Sequence, residues 1–301
     1  MDTKVENFVV NGSQPLSVVE DESFIELMKT AIPSYSLPAR STLVTRLRKR
    51  YCDMTSQLQT LLLTIFACSI THDSWTSLTM QSYCAITIHY ITNDWNLKAL
   101  CLEVKELPGS HTAENLAQSL RDAQLKWKFP DPIAVCDNAS NEIKAFKNLG
   151  WKRLSCFGHD LNLAVKAALN VEEIVTLISK CRQIVALFHR SAIAKAVLRE
   201  KQKEHLPEKN ISKVLIRDVP TRWNSTFDML ERICELCKAI NAALLDNSIK
   251  KQKANLVFTV EDERAAYSIV KLLKPFKDAT KNISYEIKPE LPTLYPMFLK
   301  L

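Results

Sequence analysis

Apolar positions change their period twice along this chain, and each change marks a different kind of element. Residues 16 to 35, "LSVVEDESFIELMKTAIPSY", space their apolar side chains as a short helix that stops at Pro33. "LPARSTLVTRLRKRYCDMTSQLQTLLLTIFA" continues helical. The texture then turns β-branched and aromatic: "ACSITHD", "SYCAITIHYIT" and "LKALCLEVKELPG" read as three strands, the last closed by a Pro-Gly turn. "SHTAENLAQSLRDAQLKWKF" returns to the helical period, with Thr112 as N-cap, Glu114 in the first turn and Leu116, Leu120 and Leu125 on one face. Pro130 and Pro132 end that helix, and "PIAVCDNAS" predicts a short buried strand running into a turn.

From about residue 157 the period is helical throughout. Ile174, Leu177, Ile178, Cys181, Ile184, Val185 and Phe188 fit one apolar face; Phe227, Leu230, Ile233, Cys237, Ile240 and Leu244 fit another. Ser225 and Asp228 stand in capping-box spacing before the second. The charged stretch between them, residues 199 to 213, is expected as a solvated loop. The order predicts an α/β fold: a mixed sheet with helices packed on it, preceded by helices over 1–66, centred on 67–170 and followed by a helical region over 171–301.

Composition narrows the classes without choosing one. Of 301 residues, 47% are hydrophobic and 24% charged, as in an ordinary globular chain. The net charge of +7 suits a polyanionic partner but is shared by many enzymes. Nine cysteines, several inside apolar runs, act there as small hydrophobes and point to a reducing compartment, nuclear or alternatively cytoplasmic. The acidic start does not read as a secretory signal, and no apolar run is long enough for a membrane span. With four glycines there is no phosphate-cradling loop, so no nucleotide or organic cofactor is expected.

Four groups of residues carry candidate chemistry. Asp73 and Asp137 each end a predicted strand. If the strands are neighbours, the carboxylates emerge together, and a divalent cation makes their joint ionisation favourable; otherwise each simply caps a turn. Cys156 and His159 stand at a helix start, as half of a zinc site or as packed side chains. Arg222 and Trp223 precede a helix; an exposed pair suits stacking and phosphate contact, a buried Trp does not. Arg46, Arg48, Lys49 and Arg50 are a backbone-contact patch, a nuclear-import signal or a solvated helix face.

Taken in order, "FIELMKTAIPSYSLPAR", "ITHDSWTS", "VCDNASNEIKAF", "LSCFGHDLNLAVKAAL", "TRWNSTFDMLER" and "VKLLKPFKDATKNIS" resemble the successive blocks of hAT-family transposases, with the closest likeness to the domesticated branch carrying BED-type zinc fingers. The resemblance runs from about residue 16 to the end. It implies an RNase H-like core interrupted by an all-helical insertion domain, begun within 171–301. It also implies Mg²⁺ or Mn²⁺ chemistry on DNA by three acidic residues. Asp73 matches the first acid and Asp137 the second; Cys156 and His159 match a pair beside the active site. Arg222 and Trp223 match a block that handles the displaced DNA end.

The family's third acid, a Glu beyond the insertion, finds no counterpart, nor do the BED finger and the dimerisation segment. The resemblance therefore implies a nuclear, transposase-derived protein that contacts DNA weakly through its backbone, meets protein partners in the nucleus, touches no membrane and is catalytically incomplete as this chain. Two alternatives stay open: a piece of an active metal-dependent transposase, and a non-catalytic protein-interaction scaffold.

Overall fold

The computed structural model describes residues 1–107, 109–205, 212–249 and 254–283. In "SYCAITIHYI" the alternation does what it predicts: Cys84, Ile86, Ile88 and Tyr90 of β2 (Ser82–Ile91) are buried, and the residues between them are partly exposed. β1 (Ser69–Thr76) and β3 (Leu97–Glu106) flank it, both antiparallel to it. β4 (Ile133–Cys136) lies parallel to the other side of β1, and β5 (Lys152–Ser155) parallel to β4. The sheet is thus five-stranded and mixed, in the order β3-β2-β1-β4-β5.

β5 was not expected. "KRLS" carries one apolar residue, so neither alternation nor an apolar run announces it; it forms by pairing its backbone with the open edge of β4. The first helix, α1 (Asp2–Asn11), falls within the helical region expected over 1–66. Residues 16 to 35 hold a short 3-10 helix, Leu16–Glu20, and then α2 (Glu22–Ala31), where Asp21 caps the Phe24 amide at 3.0 Å. α3 (Arg40–Leu62) runs from this N-terminal group to the sheet, where Leu62 is fully buried.

α4 (Ala113–Trp127) and α5 (Ser140–Leu149) cover one face of the sheet. The Thr112 hydroxyl accepts from the Asn115 amide at 3.2 Å, so the N-cap stands where the sequence puts it. Leu116, Leu120, Ala123 and Trp127 are buried beneath α4, Ala145 and Phe146 beneath α5; Leu125, expected on that face, is exposed. Gly150 ends α5 with φ +73°, a backbone conformation natural to glycine.

The helical half comprises α6 (Phe157–Ala168), α7 (Glu172–Arg190), α8 (Ala192–His205), α9 (Trp223–Leu244) and α10 (Val260–Ile283). α9 is buried on nearly all sides, with 13 buried residues among its 22, because α7, α8 and α10 pack around it. Two expectations are corrected. Residues 199–205 belong to α8, whose Ala194, Leu198 and Gln202 are buried, so a charged composition hid an amphipathic helix; residues 206–211 lie outside the described residues. α9 starts at Trp223, ahead of the proposed capping box. Ser225 sits inside the first turn, accepting from the Val219 amide at 2.7 Å and donating to the Arg222 carbonyl at 2.7 Å. The tail of the last matched block, from residue 284 onward, also lies outside the described residues. All nine cysteines are free thiols.

Candidate metal centre at the sheet edge

The parallel ladder between β1 and β4 pairs Ser69 with Ile133, Ile70 with Ala134 and Thr71 with Val135. Carried two residues forward, the same register sets Asp73 opposite Asp137. Neighbouring strands lie about 4.8 Å apart, so the two acids occupy adjacent tracks at one edge. By the alternation of side chains they share the face opposite α4 and α5, because Ile70 and His72 are buried on the helix-covered side.

The next track continues the row. The Cys156 amide donates to the Cys136 carbonyl at 2.8 Å, extending the β4–β5 ladder by one residue and setting Cys156 beside Asp137. Cys156 then serves as the N-cap residue of α6, with His159 in the first turn; both are half-buried. A line of Asp73 inside β1, Asp137 just past β4 and Cys156 just past β5 thus crosses three neighbouring strand tracks. The expectation that Asp73 ends its strand is corrected, because pairing with β2 carries β1 on to Thr76.

The segment around Asp137 is firmly held. One Asp137 carboxylate oxygen accepts from the Ala139 amide at 3.0 Å. The Arg153 guanidinium donates to the Asp137 carbonyl at 2.9 Å and to Asn138 Oδ1 at 2.8 Å. The Asn138 amide nitrogen donates in turn to Ser155 Oγ at 2.7 Å and Asp160 Oδ1 at 2.6 Å. Asp73, by contrast, is exposed and its carboxylate has no hydrogen-bond or ion-pair partner among the described residues.

Directly beneath Asp73, on the covered face, lies a buried group that the sequence did not reveal. Glu142 in the first turn of α5 holds His72 Nδ1 at 3.0 Å through Oε2 and accepts from Ser74 Oγ at 3.0 Å through Oε1. His72 is 4% and Glu142 2% exposed. Burial works against the imidazolium, but the Cys84 thiol and the Glu142 carboxylate outweigh it and push the His72 pKa up to about 9. Two residues beyond Asp73 on the open face, Trp75 is partly exposed and stacks on Tyr83, with centroids 5.9 Å apart and planes 18° apart.

The donors fit a hard divalent cation in part. An unpartnered carboxylate beside one with a spare oxygen supplies oxygen ligands of the kind Mg²⁺ and Mn²⁺ take. Among the described residues no group of three His, Cys, Asp or Glu side chains stands together as a metal cage. Glu142 cannot serve as a third ligand, because both its oxygens are engaged under the sheet.

Two family models match, and they overlap over residues 154–159, from the end of β5 into α6: "ZBED1 RNase-like domain" over residues 71–159 and "ZBED1 RNase-like helical domain" over residues 154–272. The chain is similar to Zinc finger BED domain-containing protein 4 of Homo sapiens, at 28% identity over 94% of this chain and 25% of that protein. It is also similar to the Putative AC transposase of Zea mays, at 29% identity over 92% of this chain and 36% of that protein. This chain belongs to the hAT transposase-derived, BED-type family.

The first matched span contains the sheet and the carboxylate row, which makes this part the RNase H-like core of a hAT-derived protein. The second contains α6 to α9 and half of α10. The chain spans between a quarter and about a third of the length of these curated relatives.

Within the hAT frame, the proposed DNA-contact residues are placed very differently from one another. Trp223 is 2% exposed, its ring edge-on to Phe227 at 6.5 Å, so the expectation of a surface ring for base stacking is corrected: an indole this large contributes most by burial. Arg222 beside it is exposed, and Asn162 of α6 ties this corner down by accepting from the Trp223 amide at 3.2 Å. The basic run on α3 is divided. Arg46 pairs with Asp2 at 2.5 Å, and Arg50 with Glu6 at 3.7 Å and Asn7 at 2.8 Å, so these two fasten α1. Arg48 and Lys49 are exposed. Periodicity alone could not separate these pairs, because the partners lie more than forty positions away in sequence.

Proposed function

We propose that this transposase-derived chain is a nuclear DNA-contacting protein whose sheet edge holds one Mg²⁺ or Mn²⁺ ion between Asp73 and Asp137, without completing phosphoryl transfer on its own described residues. The observation that carries the reading is the parallel β1–β4 register, whose last pair is Thr71 with Val135 and which, continued two residues, brings Asp73 and Asp137 onto adjacent tracks. A cation bound there would polarise a phosphate oxygen and screen the two carboxylates from each other. The two-ion clamp of strand cleavage needs a further acidic ligand, and two carboxylates do not supply it.

The residues of the chain would bind and orient. Arg222, Arg48 and Lys49 offer exposed cations to phosphates, while Trp75 on Tyr83 offers an aromatic surface on the same face as Asp73. Contacts of this kind are backbone-directed and carry little sequence information. Arg153 neutralises part of the local charge beside Asp137.

A second reading, a piece of an active DDE-type transposase, is favoured by the same intact carboxylate pair. A binding assay with a Mn²⁺ titration separates the two. Weak duplex binding that falls steeply with salt, together with Mn²⁺ uptake lost in Asp73→Asn and no strand cleavage, supports the first. Cleavage of DNA in Mn²⁺, abolished by Asp73→Asn, replaces it with the second. Salt-independent binding to protein partners alone would favour a scaffold.

A further inference from the structure

We propose that Glu142 is a positioning residue for the carboxylate pair: it joins the strand that bears Asp73 to the helix that follows Asp137, and holds the two acids in one register. This rests on the metal-centre reading given above. The geometry is direct. Asp73 lies between His72 and Ser74 in β1, and both neighbours point to the covered face, where Glu142 takes one with each carboxylate oxygen, at 3.0 Å and 3.0 Å. Glu142 itself stands five residues after Asp137, in the first turn of α5. Two residues, Asn138 and Ala139, lead from Asp137 to that turn, and the Asp137 cap on the Ala139 amide keeps the path short.

A rotation or slip of the β1 end relative to α5 would break both bonds to Glu142 at once. Each flank of Asp73 is therefore fixed from below while its carboxylate stays unpartnered above. β2 holds this part of β1 on one side, pairing Asp73 with Ala85 and Ser74 with Cys84, but on the other side the partnership with β4 ends at Thr71 and Val135, two residues short of the acids. Glu142 supplies, through side chains, the tie that the ladder no longer supplies through backbone.

The choice of residue types supports positioning over bulk stability. A buried ion pair adds little net stability compared with apolar side chains of similar size, because both charges lose their hydration. The surroundings are apolar and well packed: Ile86 faces His72 across the strands, and the Phe146 ring meets the imidazole edge at 6.2 Å. An apolar pair would suit that pocket; what it could not do is take hydrogen bonds from both sides of Asp73 in a defined direction.

The test begins without metal, by hydrogen exchange of the full chain. Glu142→Gln should speed amide exchange in segments 72–75 and 137–140, and Ser74→Ala should do so more mildly with a smaller risk to folding. Ile88→Val, a core truncation on β2 opposite Ile70, serves as the control for general destabilisation. It should leave those two segments no faster than the rest of the sheet. Equal acceleration in Ile88→Val, or none in the Glu142 and Ser74 variants, overturns the proposal. Metal gives the second readout: Mn²⁺ affinity should fall by roughly tenfold in Glu142→Gln, the scale seen when groups that orient metal ligands are removed, and stay unchanged in Ile88→Val. An unchanged affinity in Glu142→Gln also overturns it. If the wild-type chain takes up no Mn²⁺, the metal reading fails, and the exchange result alone decides whether Glu142 holds the two segments together.

Discussion

Asp73 and Asp137 each stand two residues beyond Thr71 and Val135, the last pair of the parallel β1–β4 ladder. The two acids differ in how they are held: Asp137 caps the Ala139 amide at 3.0 Å, whereas Asp73 has no partner among the described residues and is exposed. Asp73→Asn should therefore leave thermal stability within about 0.5 kcal/mol of wild type, as surface substitutions usually do. Asp137→Asn keeps an acceptor for the cap and should also fold. Both should lose Mn²⁺ uptake in calorimetry. Retained uptake in either variant would mean that its carboxylate is not a ligand.

Arg222 and Trp223 are adjacent in sequence but opposite in behaviour. Trp223→Ala removes a buried indole and should cost about 3–5 kcal/mol of stability by denaturant unfolding. Arg222→Ala should leave stability near wild type and lower the salt sensitivity of DNA binding by about one phosphate contact. A surface-like cost for Trp223→Ala would contradict its place in the core.

The basic run on α3 divides in the same way. Arg46→Ala should loosen α1 by up to about 1 kcal/mol, the usual range for a partly exposed ion pair, which proteolysis near the N-terminus would report. Arg48→Ala with Lys49→Ala should instead weaken DNA binding at low salt and leave the proteolysis pattern alone. The reverse outcome would place the nucleic-acid contact on Arg46.

Acid should destabilise the sheet through Glu103. Burial raises its pKa, but Lys126 at 2.7 Å, Lys105 at 2.9 Å and the Trp127 indole at 3.1 Å bring it below the ordinary 4.5. A carboxylate lowered on folding stabilises the native state at pH above its unfolded value, and the contribution fades as pH falls from there through the folded pKa. Melting temperature measured from pH 5 to pH 3 should fall more gently in Glu103→Gln than in wild type. Parallel curves would show that Glu103 is not held in its ionised form.

Much of the carboxylate row was legible before the fold. Asp73 and Asp137 belong to segments that β-branched and apolar runs announce as strands, although Asp73 does not end its strand, since β1 runs on to Thr76. The Thr112 cap follows from a local hydrogen bond three residues long. Strand identity and helix starts are local matters, decided by side-chain period and by groups within one turn. β5 escaped notice because "KRLS" owes its strand to backbone pairing with β4, which leaves no mark in side-chain polarity.

The sequence by itself determined the α/β order, the family and the two acids, since each is carried by spacing within a short segment. Only the tertiary structure decided which of these residues meet. Strand order brought Asp73 beside Asp137, packing put Trp223 inside and Arg222 outside, and α5 set Glu142 beneath Asp73. Those relations depend on contacts between positions tens of residues apart, and side-chain period holds no information about which distant face a given face will cover.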